Sequence, residues 1–107
     1  MKYLIQFTEM AKSDLRDIAL YIVEQSKDKE VAKRFVKEIA EQCTILELFP
    51  LIGALPKDRA LISFGYRFLM HKEYLIFYSI DENNKRVFIN AIFNEKKDYT
   101  MFLRRLT

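Results

Sequence analysis

A basic and aromatic set gathers in the second half of the chain. Arg67, His71 and Lys72 fall on or beside one predicted strand, and Tyr74 opens the next. Lys96, Lys97 and Tyr99 follow the last strand, and Arg104 and Arg105 lie in the tail. Such residues can hold a phosphodiester backbone while Tyr or His stacks on a base or moves a proton. A metal-independent nuclease works this way, with Arg and Lys stabilising charge on the phosphate. The same residues also read as plain cover, the tyrosines half-buried and the cations solvated.

Other chemistry has little to draw on. Two glycines cannot build a Gly-rich phosphate loop. One cysteine, Cys43, excludes an internal disulfide and a multi-cysteine zinc site, and one histidine excludes a His-rich metal site. No metal or cofactor is expected. Cys43 sits mid-helix on an apolar stripe, where a thiol is buried and inert. His71 has no serine near it in sequence to activate as a nucleophile, and no pair of carboxylates stands out as an acid/base couple.

Elements that could position the basic set follow from periodicity. Tyr3–Thr8 alternates as a strand does, and Thr8 can cap a helix from Glu9 to about Gln25, striped by Leu15, Ile18, Ala19 and Ile22. Ser26-Lys27-Asp28 breaks it. A second helix is predicted from about Lys29 to Leu48, with Phe35, Ile39, Cys43 and Leu46 as its stripe, ended by Phe49-Pro50. Leu51 to Ser63 reads as irregular. The period then becomes two: Tyr66–His71, Tyr74–Ile80 and Arg86–Phe93 are strands, the last with Val87, Ile89, Ala91 and Phe93 alternating. Tight links make these three an antiparallel meander. The tail, Asn94 to Leu106, reads as a helix. The expected fold is α+β, in the order β-α-α-β-β-β-α: a helical hairpin packed on an antiparallel sheet, with a short C-terminal helix.

Composition agrees with one globular domain over 1–107. Of the 107 residues, 50% are hydrophobic and 31% charged, and only two are Pro. The net charge is +3, with −1 on residues 1–54 and +4 on 55–107, so a basic half could face nucleic acid or an acidic protein segment. No apolar run approaches the roughly 18 to 20 residues of a spanning helix. The N-terminus lacks a signal peptide's features, and a single cysteine suits a reducing, cytoplasmic setting. A surplus of apolar residues remains: Leu20, Tyr21, Val23 and Ile45 on the helices, and Leu51, Ile52, Leu55, Leu61 and Ile62 after them. Those left uncovered would form a groove for a partner segment, unless loop packing buries them.

Several motifs, in this order, resemble one family. They are Ala11-x-x-Asp14-Leu15-x-x-Ile18-x-x-Tyr21-Ile22, Ala32-x-x-Phe35-x-x-x-Ile39 and Leu46-x-x-Phe49-Pro50-x-x-Gly53. Arg67-x-Leu69, Tyr74-Leu75-Ile76-Phe77-Tyr78-x-Ile80 and Ile89-x-x-Ile92-Phe93-x-x-x-Lys97-Asp98 follow. The ordered set resembles the RelE/ParE superfamily of type II toxin–antitoxin toxins, also described as plasmid stabilisation proteins. The resemblance implies a small α+β toxin that arrests growth and is neutralised by a cognate antitoxin, whose C-terminal segment wraps the helices and sheet. The apolar surplus, with Leu20, Tyr21, Val23, Ile45, Leu51 and Ile52 foremost, is the expected antitoxin surface.

The resemblance implies one of two activities. RelE-like members are endoribonucleases that cut mRNA in the ribosomal A site, without a metal. ParE-like members inhibit DNA gyrase and are not enzymes. RelE-like nucleases usually carry Arg where this chain has Leu75, and Arg or His-Tyr where it has Asn94 and Glu95. A preorganised charge at the phosphate is worth on the order of 10²–10³ in rate, so the ParE-like branch is favoured. Its expected target contacts are Arg67, Lys72, Tyr74, Lys96, Lys97, Arg104 and Arg105. A nuclease would instead draw its catalytic groups from Arg67, His71, Lys96, Lys97 and Tyr99. The third alternative is a degenerate member that binds an antitoxin without toxicity.

Overall fold

The computed structural model describes residues 2–96 and residue 105. The chain opens with β1 (Leu4–Phe7) and passes straight into α1 (Glu9–Ser26). Thr8 caps that helix, its hydroxyl oxygen accepting from the Ala11 amide at 3.2 Å. Lys27, in the left-handed conformation at φ 59°, ends it, and the Asp28 carboxylate caps α2 (Lys29–Cys43) by accepting from the Glu30 amide. Two residues thus reverse the chain into the expected helical hairpin.

The second helix ends earlier than its stripe suggests. After Cys43 the backbone tightens into a 3₁₀ turn, Thr44–Glu47, rather than continuing to Leu48. The Thr44 hydroxyl donates to the Glu41 carbonyl at 2.6 Å, a local bond that competes with the helical ladder. The region read as irregular holds a one-turn helix, α3 (Arg59–Ser63), capped by Asp58 and anchored by the buried Leu61. Leu61 therefore leaves the apolar surplus and joins the core.

The sheet comprises β1, β2 (Arg67–His71), β3 (Tyr74–Asp81) and β4 (Arg86–Asn94), in the order β1-β4-β3-β2. The meander is antiparallel as predicted, but β1 lies parallel to β4, so the sheet as a whole is mixed. The helices and two further strands intervene between β1 and β4, and so long a connection permits parallel pairing.

A β-bulge corrects the face assignment of β4. Phe77 pairs with Ala91 but Tyr78 pairs with Ile89, leaving Asn90 as the extra residue. Its side-chain amide donates to the Ser79 hydroxyl and the Phe88 carbonyl. Beyond the bulge the parity reverses. Val87, Ile89 and Ile92 join the core under the helices, with Ile39, Cys43, Leu46, Tyr74, Ile76 and Tyr78. Ala91 and Phe93 join Leu61, Leu75 and Phe77 on the opposite face. Both sheet faces are therefore covered.

The expected tail helix is tested at few places. Asn94 still belongs to β4. Lys97, Asp98, Tyr99 and Arg104 lie outside the described residues, and Arg105 alone of the tail beyond Lys96 is described. Among the described residues, no helix is long and apolar enough to cross a membrane.

Candidate functional site

The sheet splits the basic and aromatic set. His71 pairs with Tyr74, and Tyr74 pairs with Asn94, so His71, Lys72, Tyr74 and the exit toward Lys96 share one end. Arg67 lies four residues down β2, about 13 Å away at the usual strand rise. It pairs opposite Tyr78.

At the shared end the aromatic groups face inward. Phe35 of α2 meets both rings edge-on, His71 at 5.5 Å and Tyr74 at 5.1 Å between centroids. Tyr74 is only 8% exposed. Burial raises its hydroxyl pKa, Glu73 and Tyr21 add to this, and a hydrogen bond with Asn94 opposes it. His71 has both ring nitrogens engaged: Nδ1 with Gln42 Oε1 at 3.0 Å and Nε2 with Glu38 Oε1 at 3.2 Å. Gln42 in turn donates to the Met70 carbonyl. This arrangement latches β2 to α2. Glu38 also pairs with Lys72 at 3.7 Å. Lys96 is exposed, its amide donating to Asn94 Oδ1 at 2.9 Å.

Arg67 serves a different neighbourhood. Its Nη1 donates to the Leu51 carbonyl at 3.2 Å and the Gly53 carbonyl at 3.0 Å. Beside it the buried Tyr78 hydroxyl donates to the Pro50 carbonyl at 2.7 Å and accepts from the Gly53 amide at 2.9 Å. Burial raises the Tyr78 pKa, against the Gly53 hydrogen bond and the nearby guanidinium. Motif residues far apart in sequence thus meet around one loop. Their local spacing carries no signal of that meeting, because the partners lie 14 to 28 residues apart.

Asp14 is a further residue that the chemistry of the sequence did not single out. Its Oδ2 accepts from the Ile92 amide at 2.9 Å, and both carboxylate oxygens lie 3.2 Å from Arg105 Nη2. Arg105, expected to face a target, is held in this ion pair.

The apolar surplus divides in two. Leu20 and Val23 line a groove of about 560 Å³ between α1 and α2, with Ala19, Ala32 and Val36. Lys29, Lys33 and Lys37, one turn apart on α2, border it. Tyr21 is exposed on α1. Ile45, Leu51 and Ile52 belong instead to the chain leaving α2, where Leu48, Phe49 and Leu55 are exposed as well. Among the described residues, no cluster of three or more His, Cys, Asp or Glu could hold a metal.

A helical hairpin laid on a four-stranded mixed sheet in this element order is the fold of the RelE/ParE toxins. The model of the family described as the ParE toxin of type II toxin–antitoxin system, parDE, matches residues 5–99, and the chain belongs to that family. Solved structures share the fold. One is titled as a chromosomal ParDE toxin–antitoxin system from P. aeruginosa, with TM-score 0.71, 22% identity, and 87% of this chain and 96% of that chain covered. Another is the RelBE2 toxin–antitoxin complex from Mycobacterium tuberculosis, with TM-score 0.65, 22% identity, and 88% and 92% covered. A free E. coli RelE double mutant matches with TM-score 0.60 and 16% identity over 100% of both chains. Comparison with curated proteins finds no match.

Proposed function

We propose that this toxin arrests growth by inhibiting DNA gyrase, as a protein ligand rather than an enzyme. The observation that carries this reading is the dispersal of the groups a nuclease would need. Arg67 is bound to loop carbonyls at the far end of β2, His71 has no ring nitrogen free for a substrate proton, and Tyr74 is buried with a raised pKa. Leu75, where RelE-like nucleases usually carry Arg, is 3% exposed and packs in the apolar cluster behind the sheet. Lys72 and Lys96, with Lys97 and Arg104 of the tail, are the target contacts in this reading.

A cognate antitoxin neutralises the toxin by laying an amphipathic helix in the groove between α1 and α2. The groove floor is apolar and its three lysines suit a segment with acidic residues at helical spacing. Leu20, Tyr21 and Val23 are the expected anchors.

One observation favours a second reading, the ribosome-dependent endoribonuclease. Lys72 and the exit to Lys96 share the sheet end with His71 and Tyr74. Pulse labelling after induction of the toxin alone separates the two. DNA synthesis falling first supports gyrase, with loss of supercoiling by purified gyrase as the follow-up. Protein synthesis falling first, with cleaved mRNA, overturns it. If neither falls, the chain is the degenerate, non-toxic form.

A further inference from the structure

We infer that His71 is held in the fold as the doubly protonated imidazolium, and that this charge makes the contact between β2 and α2 a latch that loosens as pH rises. The inference does not rest on the proposed toxin activity.

The ring's two neighbours fix its proton count. Gln42 approaches Nδ1 through Oε1 at 3.0 Å, while its Nε2 lies 2.6 Å from the Met70 carbonyl oxygen. A carbonyl oxygen only accepts, so the amide nitrogen faces Met70 and the amide oxygen faces the ring. Turning the amide over would set two acceptor oxygens against each other at Met70. Glu38 Oε1 stands 3.2 Å from Nε2, and an ionised carboxylate also only accepts. Both ring nitrogens therefore meet acceptors. A neutral imidazole carries one N–H and would turn a lone pair toward one of these oxygens. The imidazolium carries two and satisfies both.

The surroundings suit a charged ring. Its side chain is 17% exposed, and a charge so sheltered needs a partner of opposite sign, which Glu38 supplies. Lys72 shares the same oxygen at 3.7 Å but keeps its ammonium largely in water, where it competes weakly. Glu41, the next acid on α2, is paired with Lys37. Tyr74 is the titratable neighbour across the ladder. Burial first, then Glu73 and Tyr21, raise its pKa, so it stays neutral where histidine titrates. Phe35 meets the ring edge-on and brings no charge.

The latch holds a strand end that has little else. β2 lies at the edge of the sheet, and on its outer side Ala54 bridges Phe68 only. The end at His71 is tied to α2 through the ring and the Met70 carbonyl. Loss of one ring proton turns one of the two ring contacts into a facing pair of acceptors, and the tie weakens.

The chain has a single histidine, so one ring signal reads the test. Nitrogen-15 NMR follows the ring from about pH 5 to 9 in the folded chain, in the urea-unfolded chain and in Glu38→Gln. The folded ring is expected to release its second proton at about a tenfold lower proton concentration than the unfolded ring, the equivalent of one charge-assisted hydrogen bond. Histidine in an unfolded chain titrates near pH 6.5. The fold holds this proton more tightly, so the stability it provides is complete below about pH 6.5 and is lost above it. Urea unfolding should therefore show the folded-to-unfolded ratio falling by about tenfold between about pH 6 and 8, with amide exchange across residues 69–71 speeding over the same range. The Glu38→Gln amide can donate to a bare Nε2, so this variant should titrate like the unfolded chain and lose the fall. A folded ring that releases its proton at the same or a higher proton concentration than the unfolded one overturns the inference. A ring that titrates as expected while exchange at residues 69–71 stays constant overturns the latch. If Glu38→Gln does not fold, His71→Gln, which cannot titrate, replaces it in the unfolding series. A fall that persists in His71→Gln belongs to another group and also overturns the inference.

Discussion

His71 is held between two partners of α2, and its replacement separates a latch from a general base. His71→Ala removes the contacts to Gln42 and Glu38 and is expected to lower stability by about 1–2 kcal/mol in urea unfolding, with growth arrest kept. Loss of activity at unchanged stability would restore it as a proton carrier. This role was not legible in the sequence, because the partners lie 29 and 33 residues away. Cys43 was legible: its place on the helical stripe gave a buried thiol, and it is 1% exposed. Burial pushes its pKa from an ordinary value near 9 up to about 12. The folded state thus holds its proton more tightly than the unfolded one. The stability this provides is complete below about pH 9 and is lost as pH rises toward 12, by up to about 1.4 kcal/mol per pH unit. Unfolding midpoints should fall across that window, and Cys43→Ala should flatten the fall. The raised pKa values of Tyr66, Tyr74 and Tyr78 act in the same direction, with their loss beginning at the ordinary tyrosine value near 10.

At the scale of elements, the strands and the hairpin followed from periodicity and caps, but the turn of β4 did not. Both faces of that strand are apolar, so Ala91, Ile92 and Phe93 fit either parity, and only the pairing with β3 exposes the bulge at Asn90. The parallel placement of β1 was equally silent, since a four-residue strand with one apolar face does not encode its neighbour's direction. The structure instead shows how β4 is finished where β1 stops. Pairing with β1 ends at Ile89, the Thr8 amide and hydroxyl take the Ile89 carbonyl, and the Asp14 carboxylate takes the Ile92 amide. One side chain of α1 thereby completes the strand and holds Arg105. Asp14→Ala leaves a part-buried amide without its acceptor and is expected to cost about 1–3 kcal/mol. Asp14→Asn keeps an acceptor and should cost clearly less, losing mainly the ion pair, whose arginine is 33% exposed. Equal losses in the two variants, read from urea midpoints, would show that the Ile92 bond contributes nothing.

Over the whole molecule, with both faces of the sheet covered, the described residues leave apolar surface on the outside of the hairpin and on the loop after it, besides single exposed side chains at Leu4, Ile62, Phe64 and Met70. The surplus was visible as composition, but its division by charge needed the packing of α1 against α2, which places Lys29, Lys33 and Lys37 along one groove. Lys33 and Lys37 pair with Glu30 and Glu41 on their own helix. These exposed contacts are worth a few tenths of a kcal/mol each. Lys29, in the first turn of α2, sits at the positive end of the helix dipole, where a cation is unfavourable and an anion is stabilising. Fold and partner therefore make opposite demands on this position. Lys29→Glu should raise stability by about 0.3–1 kcal/mol. It should also weaken an acidic antitoxin helix in the groove, and the binding that remains should be less sensitive to salt. Calorimetric binding at two ionic strengths, set beside thermal unfolding, reads both effects on the same variant. A gain in stability with antitoxin affinity unchanged would remove the lysines from the interface, and a parallel loss of both would make Lys29 a structural residue of the hairpin.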